Sequence, residues 1–530
     1  AQDTTQIMDS RMMQALRFIF IATLQAPIKC SEESRDFEFF SGTPFDEAYA
    51  LALQELGTNV DSERGNFIAG AGWTQLWTRD TSYSVELAAA LVKPEISRKS
   101  LEACTELVAD IGIVWLQDKC GHFGGWPLLS DAIAGVLGAW KYYLITGDEE
   151  FLKLVFPITI NSLIRAERDA YDESSGLFKG CSSFMESNSG YPTKYHFKGE
   201  LVGKTKALST NMLYYYGYKI GALMGKELEA PASEIGDLEN KAQKLRAAIR
   251  SRLWLKSEGF YSYVEDEENT LMPQMEGLGE SFALLAPDFE SDADRIDKMF
   301  AQVYRDERGL PCLWPRFDIH EVPQDPAQYY HNGRIWPFVQ GYWAMAAANY
   351  HKVEIFADEF AKLLALGQGK NTFAEFYEFD GTFPPERRRQ LWSDAGFLSM
   401  VYHGLFGMNF LTHGIEFKPV KPMSLFNDTV SLKNVRYRDM MLDIYVTGTG
   451  WKMQSFQLDG KTQTPIVSST LTGRHTVNIA LGDPLPVWAA IDPQMAISAA
   501  VVLFLVCVVV GFRRFGRGMP KGAKGWTAKD

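Results

Sequence analysis

Carboxylate residues stand in three loops that are rich in aromatic residues: Asp80 in WTRD, Glu186 in SSFMESNSGYP and Glu375 in FAEFYEFDG. Hydrolysis of a glycosidic bond needs one carboxylic acid to protonate the leaving oxygen and a second carboxylate to activate water or to attack the sugar. Acidic residues in predicted helices, such as Glu239, are better explained as solvated helix faces. The three loop carboxylates are therefore the candidates for acid and base chemistry.

The first of these loops, GWTQLWTRDTSYS, places a charge pair, Arg79 and Asp80, among large aromatic residues that include Trp73 and Trp77. Aromatic rings stack on the apolar faces of a pyranose, while a bidentate arginine and an acceptor carboxylate bind its hydroxyl groups. A local salt bridge, with Asp80 capping the helix that follows, explains the same residues without a ligand. The rest of the chain has to decide between these two interpretations.

The composition excludes some classes of partner. The chain has 530 residues, a net charge of -13 and an aromatic fraction of 13%. An acidic surface repels a phosphate backbone, so no nucleic-acid partner is expected. The six cysteines show neither a CxxC motif nor a Cys/His cluster at zinc spacing, so no metal is expected, and the chemistry above needs no organic cofactor. An acidic, tryptophan-rich protein suits a neutral polar ligand such as a carbohydrate.

The two ends of the chain suggest targeting segments. Residues 495–512 form an uncharged apolar run followed by a basic tail, 513–530, which predicts a transmembrane helix with the tail in the cytoplasm. We therefore expect a single-pass membrane protein that contacts a lipid bilayer, with its large N-terminal part extracellular or lumenal; a buried core helix is the alternative. Residues 1–40 have the outline of a signal peptide, and an amphipathic helix is the alternative there.

Residues 41–413 predict an all-α domain, because apolar segments of helical period alternate with loops rich in Gly, Pro, Trp, Tyr and Asn. The loops recur about every fifty residues, which is typical of a toroid of helical hairpins. In such a toroid the loops at one end bring distant residues into one pocket. Residues 414–482 alternate apolar and polar residues between Gly and Asp-Gly turns, which predicts a small β-sandwich, and 483–494 form a linker.

An ordered series of motifs runs through the predicted helical domain: WTRD, WPLLSDA with GAWKYYLITGD, FMESNSGYP, LSTNMLYYY, YHNGRIWPFVQGYW, and EFYEFDG with QLWSDAGFLSM. This series, over roughly residues 65–412, resembles the six-hairpin glycosidases. These (α/α)6-barrel enzymes include the family 63 processing α-glucosidases, the trehalases and bacterial proteins labelled amylo-α-1,6-glucosidases. The resemblance implies an (α/α)6 toroid with a small C-terminal β-sandwich, to which the apolar run adds a single C-terminal transmembrane helix.

The resemblance also implies roles for the charge pair and for the base. The Arg-Asp of the family's first long loop holds sugar hydroxyls, which matches Arg79 and Asp80 and leaves Trp73 and Trp77 to shape the pocket. The general base of these enzymes is a Glu in an E-x-Y loop before a W-S-x-A-G helix start. That matches Glu375, with Tyr377 and Trp392 in their expected places, and it implies inversion of configuration.

The acid loop of the family reads E-S-G-x-D, whereas this chain reads ESNSG from Glu186 and lacks the Asp. Either Glu186 supplies the proton, or the acid lies in another loop, or acid chemistry has been lost.

Other expected pocket residues are His331 and Asn332 as hydroxyl partners, Trp336 as a stacking wall, Arg334 as a charge that favours ionised Glu375, and Trp126 and Asp131 as sugar contacts. A structural histidine and an N-cap are the alternatives for His331 and Asp131.

The sequence as a whole predicts a membrane-anchored, exo-acting glycoside hydrolase, specifically an inverting α-glucosidase that acts on glucose-containing oligosaccharides, with Glu375 as base and Glu186 as acid. A catalytically degenerate carbohydrate-binding protein on the same barrel is one alternative. A polysaccharide lyase or epimerase on a similar toroid is the other alternative. Such enzymes typically need a Tyr/His or His/His pair, whereas this chain has only eight histidines and its aromatic loops carry carboxylates.

Overall fold

The computed structural model describes residues 37–117, 126–127, 131–185, 190–196, 198–318 and 330–482. The segment 495–512, the linker, the tail and most of the N-terminal segment lie outside these residues. Within the described part of the chain, no helix is long and apolar enough to cross a membrane. The two longest helices there have 21 residues each, and both carry charged residues along their length. This finding corrects the expected localisation as a single-pass membrane protein and the expected contact with a lipid bilayer.

Twelve helices of seven or more residues lie in the described ranges, and they pair into six hairpins. They are α1 (Phe45–Thr58), α2 (Thr78–Ser84), α3 (Pro94–Ala103), α4 (Gly135–Thr146), α5 (Glu149–Asp169), α6 (Leu208–Glu227), α7 (Ala232–Arg252), α8 (Gly277–Leu285), α9 (Ala293–Gln302), α10 (Pro337–Asn349), α11 (Val353–Lys370) and α12 (Leu391–Ser399). Two π-helical turns, Val85–Ala89 and Met400–Leu405, extend α2 and α12. Short helical pieces are Ala90–Val92, Asp131–Ala134, Thr193–Tyr195, Gly199–Val202 and Pro385–Arg387.

The even-numbered helices form a closed inner ring. Each of α2, α4, α6, α8 and α10 packs against the next, and α12 packs back against α2. A helix that is surrounded on all sides is buried on every face: α2 and α12 are buried at every position, and α8 is buried at every position except Leu285. The odd-numbered helices lie outside them and expose a polar face. The described residues therefore form the predicted (α/α)6 toroid.

All six inner helices begin at the same end of the ring, because alternate helices in a toroid of hairpins run in opposite directions. The residues just before these helices gather there, among them Trp77 before α2, Trp336 before α10 and Gln390 before α12. Isolated backbone bridges, such as Gly70 with Gln390 and Ile335 with Tyr377, tie the loops to one another. This end of the ring is where the predicted site residues meet.

The strands are β1 (Glu38–Phe40), β2 (Thr105–Val108), β3 (Gly112–Trp115), β4 (Tyr171–Asp172), β5 (Leu177–Phe178), β6 (Lys206–Ala207), β7 (Trp254–Leu255), β8 (Phe260–Tyr261), β9 (Val264–Glu265), β10 (Met275–Glu276), β11 (Leu313–Trp314), β12 (Met408–Leu411), β13 (Gly414–Phe417), β14 (Val430–Tyr437), β15 (Met440–Thr447), β16 (Met453–Leu458), β17 (Lys461–Thr462), β18 (Ile466–Ser468) and β19 (Gly473–Leu481). Strands β2 to β11 form two-stranded ribbons within the barrel loops.

The C-terminal region is built from two sheets. One has six strands in the order β1-β14-β15-β19-β16-β17, antiparallel except for the β15–β19 pair, and the other has three in the order β12-β13-β18. A β-sheet region after the barrel is thus confirmed. Its bounds differ from 414–482, since β12 begins at Met408 and β1 pairs with β14 from the other end of the chain, with Phe39 opposite Leu432. Sequence order alone does not reveal such a distant strand partner.

Candidate active site

Glu375 lies in the loop between α11 and α12 and is 2% exposed. The loop is fixed by the ring of Tyr377, whose hydroxyl donates to the Thr372 carbonyl at 3.0 Å and accepts from the Ala374 amide at 2.9 Å. Tyr377 thus lies in the same loop as Glu375. Its hydroxyl binds the backbone of that loop and fixes the shape of the loop. A carboxylate held in a rigid loop keeps one orientation toward the pocket.

The two oxygens of the Glu375 carboxylate have different surroundings. Oε1 accepts a hydrogen bond from Trp73 Nε1 at 2.9 Å and a short one from the Tyr330 hydroxyl. Oε2 is buried, accepts no hydrogen bond from the described residues and lies 3.3 Å from Nη1 of Arg387. The carboxylate is therefore held through one oxygen, while the other remains available.

Burial raises the pKa of Glu375 to about 7. The positive charge of Arg387, the hydrogen bonds from Tyr330 and Trp73, and the more weakly acting charge of Arg334 all oppose this rise. A carboxyl group that changes ionisation near neutral pH can take up and release a proton under ordinary conditions. These properties are those required of a general base.

Arg79 and Asp80 occupy the first turn of α2 and are 6% and 7% exposed. Arg79 donates from Nη1 to the Ser183 carbonyl at 2.5 Å, and Asp80 accepts from Gln390 Nε2 at 3.0 Å. The N-cap position of α2 is held by Trp77, and Asp80 lies inside the first turn. Both charged groups therefore contact other loops of the barrel end, which is where a sugar pocket would lie.

His331 and Asn332 are buried, and both contact the aromatic loops of the barrel end. The amide of Asn332 holds the backbone of Phe317, accepting from its N–H at 2.8 Å and donating to its carbonyl at 3.0 Å. The Asn332 amide thus fastens the Phe317 backbone, and its role as a hydroxyl partner stays a prediction. The ring of His331 stacks on Trp336 with centroids 5.1 Å apart, and it meets Phe184 edge-on.

Arg334 lies on the far side of the Glu375 loop. Its Nη2 forms an ion pair with Oε1 of Glu378 at 2.5 Å, and its guanidinium covers the ring of Phe376 at 4.4 Å. The charge of Arg334 lowers the pKa of Glu375 less than the charge of Arg387 does. The predicted direction of its influence on Glu375 is therefore reproduced, although Arg387 has the larger effect.

Tryptophan indoles make up much of the remaining wall. Trp336 is 1% exposed and packs between His331 and Trp392, and Trp392 stacks on Phe338 at 4.2 Å. The ring of Trp77 meets Trp73 edge-on at 6.4 Å. The buried Nε1 atoms of Trp77, Trp336 and Trp392 have no hydrogen-bond partner among the described residues. Buried indole N–H groups usually have a partner, so these three are free to donate to ligand hydroxyls or to water.

Of the three remaining predicted site residues, the structure describes the side chain of Trp126. Trp126 donates from Nε1 to Asp169 at 2.6 Å, and the guanidinium of Arg165 covers its ring at 4.3 Å, so its described contacts are with α5. Asp131 begins the 3-10 turn before α4, and its side chain lies outside the described residues, as does all of Glu186. Their roles stay predictions.

Four contacts at the site are absent from the sequence interpretation: those of Tyr330, Arg387, Gln390 and Ser183. Tyr330 stands directly before His331 in the YHNGRIWP stretch, and that position is a signal which could have identified it. Arg387 stands in PPERRRQ, where a run of arginines resembles an ordinary solvated segment. Gln390 and Ser183 also stand in quoted motifs, QLWSDAGFLSM and SSFMESNSGYP, but the motifs do not show which distant loops their side chains and carbonyls contact.

A second buried carboxylate supports the loop that leads to Glu186. Glu276, at the N-cap position of α8, accepts from Ser182 Oγ at 2.5 Å and from the Ser209 amide at 3.0 Å, and burial raises its pKa to about 7. Both of its oxygens have partners, so it anchors the loop. In the described part of the chain, no group of three or more His, Cys, Asp or Glu residues could hold a metal ion.

Comparison with known proteins identifies the barrel. Residues 136–393 match the family model described as the mannosylglycerate hydrolase MGH1-like glycoside hydrolase domain. No curated protein sequence matches the chain.

Two solved structures share the fold at low sequence identity, and a third is matched over almost its whole length. A structure named sialidase has a TM-score of 0.62 and 16% identity, with 81% of this chain and 40% of that chain covered. A GH78 family rhamnosidase from Bacillus sp. GL1 has a TM-score of 0.56 and 11% identity, with 84% and 44% covered. A GH63 mannosylglycerate hydrolase from Thermus thermophilus has a TM-score of 0.48 and 14% identity, with 67% and 99% covered. The chain thus spans less than half the length of the first two.

The match lies within the toroid, from α4 to the start of α12, and includes the Glu375 loop. The chain therefore carries a glycoside hydrolase domain of the MGH1-like type, and its toroid has the fold of the six-hairpin glycosidases.

Proposed function

We propose that this protein is an exo-acting, inverting glycoside hydrolase in which Glu375 is the general base. The observation that carries the proposal is the state of Glu375 Oε2, which is buried and without a hydrogen-bond donor among the described residues. The matched family domain supports hydrolysis of glycosides, and the pKa of about 7 supports the role of base. The resemblance to the six-hairpin glycosidases supports an exo-acting enzyme.

In the proposed reaction, Oε2 of Glu375 removes a proton from a water molecule. The water oxygen attacks the anomeric carbon while the bond from that carbon to the leaving oxygen breaks. Glu186 protonates the leaving oxygen, so that the sugar gains a hydroxyl group and the leaving group departs as an alcohol. Because the water enters opposite the leaving group, the configuration at the anomeric carbon inverts.

The Trp77, Trp336 and Trp392 indoles would contribute to sugar binding through their unpartnered Nε1 donors. Arg79 and Asp80 would bind hydroxyl groups from the α2 end of the pocket, and His331 would contribute from its stack on Trp336. Trp126 and Asp131 would be further sugar contacts, as the resemblance implies.

An α-glucoside of an oligosaccharide is the first substrate class we assign, from the resemblance to family 63 enzymes. The names of the similar proteins widen the set to be tested, since they refer to mannosylglycerate, rhamnosides and sialosides. The pocket residues that would discriminate among these sugars include Arg79, Asp80 and the unpartnered indoles.

The test is hydrolysis of a panel by the full chain: aryl α- and β-glucosides, α-mannosides, α-rhamnosides and sialosides, glucose disaccharides and mannosylglycerate. The anomer released first is followed by NMR. Glu375→Gln should lower turnover by about a thousandfold while sugar binding remains, within the range for loss of a general base. Glu386→Gln, an exposed carboxylate on the neighbouring 3-10 turn, is the matched control.

A catalytically degenerate sugar-binding protein is the second candidate. Gly190 stands at the place of the missing Asp, four residues after Glu186, and a Cβ atom there would meet Met185 Cβ at 2.7 Å. The local packing thus leaves no room for a side chain at the family's acid position. Sugar binding by wild type without release from any substrate in the panel would favour this candidate.

A further inference from the structure

Arg387 contacts Glu375 through the backbone as well as through the side chain. It is the last residue of the 3-10 turn Pro385–Arg387, and its carbonyl accepts the amide of Glu375 at 2.7 Å. The turn is closed by a bond from the Arg387 amide to the Pro384 carbonyl at 2.8 Å. The side chains of Glu375 and Arg387 therefore project from two backbone segments that are hydrogen-bonded to each other, so their relative position is fixed.

The guanidinium of Arg387 also covers the two residues that bind Oε1. Its Cζ lies 4.5 Å from the centroid of the Trp73 ring and 5.4 Å from that of Tyr330. One side chain thus contacts both hydrogen-bond donors of Glu375 and approaches the free oxygen, Oε2, at 3.3 Å. It is 23% exposed, so water screens its charge less than that of a surface arginine.

The other groups that face Glu375 do not replace this charge. Tyr330 and Trp73 are neutral donors to Oε1, and Arg334 is paired with Glu378 at 2.5 Å. Of the groups that oppose the effect of burial on the pKa of Glu375, the charge of Arg387 is the largest. The geometry and the charge distribution therefore single out the same residue.

We propose that Arg387 is a positioning residue for the reaction: it holds the Trp73–Tyr330 pair on Oε1, places its positive charge beside Oε2 and favours the ionised form of Glu375. The proposal rests on the function proposed above, in which Glu375 is the base. The sequence alone does not show which of the three consecutive arginines has this role.

The test compares three variants of the full chain: Arg387→Gln, Arg387→Lys and Arg388→Gln. Arg388 is exposed and adjacent, so its substitution changes the net charge by the same amount at almost the same place. Loss of an arginine next to a carboxylate raises the carboxyl pKa by about 1 unit or more. The acid limb of kcat/KM against pH should therefore shift upward by about 1 unit in Arg387→Gln, move back in Arg387→Lys, and stay in place in Arg388→Gln.

A second measurement needs no substrate. Carbon-13 NMR of protein labelled at the glutamate carboxyl carbon gives the titration midpoint of Glu375, whose signal is assigned by its absence in Glu375→Gln. The midpoint should rise by about 1 unit in Arg387→Gln and should be unchanged in Arg388→Gln.

The outcomes are distinguishable. If wild type hydrolyses nothing but the midpoint still rises in Arg387→Gln, the proposed function fails and the influence of Arg387 on Glu375 stands. An unchanged midpoint in Arg387→Gln overturns the role of Arg387. Loss of activity in Arg387→Gln that lysine does not restore, with an unshifted acid limb, reduces Arg387 to a structural residue and overturns the proposal as well.

Discussion

Trp73 Nε1 donates to Oε1 of Glu375 at 2.9 Å, across 302 positions of the sequence. The bond joins the loop before α2, the first inner helix, to the loop before α12, the last. These two helices pack against each other where the ring closes. The base is therefore correctly held only when the whole toroid has closed, which couples the chemistry of the site to folding of the barrel.

Replacing Trp73 by Phe keeps a ring for the Arg387 guanidinium to cover but removes the indole donor. A hydrogen bond to a charged group contributes about 1.5–3 kcal/mol, so the ionised form of Glu375 should become less stable. We expect the acid limb of kcat/KM to shift upward by about 1 unit and activity at pH 6 to fall about tenfold. Trp451→Phe, a 39% exposed tryptophan of the β-sheet region, is the control. A uniform loss at every pH would instead indicate damage to the pocket.

The free energy of unfolding should depend on pH because Glu375 is buried. Its pKa rises from 4.5 in the unfolded chain to about 7 when folded, so folding favours the neutral form. The contribution of the neutral carboxyl group to the free energy of unfolding is fully present below pH 4.5 and is lost as the pH rises through 7. Glu375→Gln should therefore unfold at a higher denaturant concentration than wild type, with a gain of about 3 kcal/mol at pH 8 and under about 1 kcal/mol at pH 5.

The comparison is made by urea unfolding of both proteins at the two pH values, with Glu386→Gln as the exposed control. A gain that is the same at pH 5 and pH 8 would mean that Glu375 is ionised in the fold at a normal pKa.

The role assigned to Glu186 can be tested through the leaving group. Protonation matters little for dinitrophenolate, which leaves unaided, and much for an alcohol. Glu186→Gln should lower hydrolysis of disaccharides by a factor of about 100 to 10,000 and of dinitrophenyl glycosides by less than about tenfold. Glu200→Gln, an exposed carboxylate of the Gly199–Val202 turn, should change neither. Equal losses on both substrates would assign Glu186 to sugar binding, and no loss would move the acid to another loop.

The fold could be predicted because its signals are local. Inner helices such as α6 and α10 are apolar on nearly every side, and the aromatic loops between them recur at regular intervals, so periodicity alone suggests the ring. The role of Glu375 was predicted in a different way, from the resemblance of its loop and of the W-S-x-A-G helix start to a family, and it stays a proposal. The strand Glu38–Phe40 was not predicted, since its partner Leu432 lies at the other end of the chain.

Residues whose roles depend on distant partners were harder to predict. The sequence places Asn332 in a pocket loop, but only the structure shows that its amide is used by Phe317. The same holds for Arg387, where a 3-10 turn brings one of three consecutive arginines onto Trp73 and Glu375. Side-chain direction at such positions is decided by contacts between loops, and these leave no periodic pattern.

Close packing between the first and last loops gives a further test of how the site is assembled. Gly72 lies against the 3-10 turn, and a Cβ atom there would meet the Glu386 carbonyl oxygen at 2.5 Å. Because that atom belongs to the backbone, either the Trp73 loop or the Pro385–Arg387 turn has to move. Gly72→Ala should therefore disturb both contacts of Glu375 and lower kcat/KM by about tenfold or more, as expected for a shift of about 1 Å near the reacting groups.

Gly236 provides the control, because a Cβ atom there meets nothing within 4 Å and the residue lies inside α7. Gly236→Ala should raise the free energy of unfolding by about 0.5–1 kcal/mol and leave kcat/KM unchanged, since alanine is the better helix former. The thermal unfolding midpoint and kcat/KM are measured for both variants. If Gly72→Ala kept full activity, the loops before α2 and α12 would not need their close approach, and the Trp73–Glu375 bond would not be essential for the reaction.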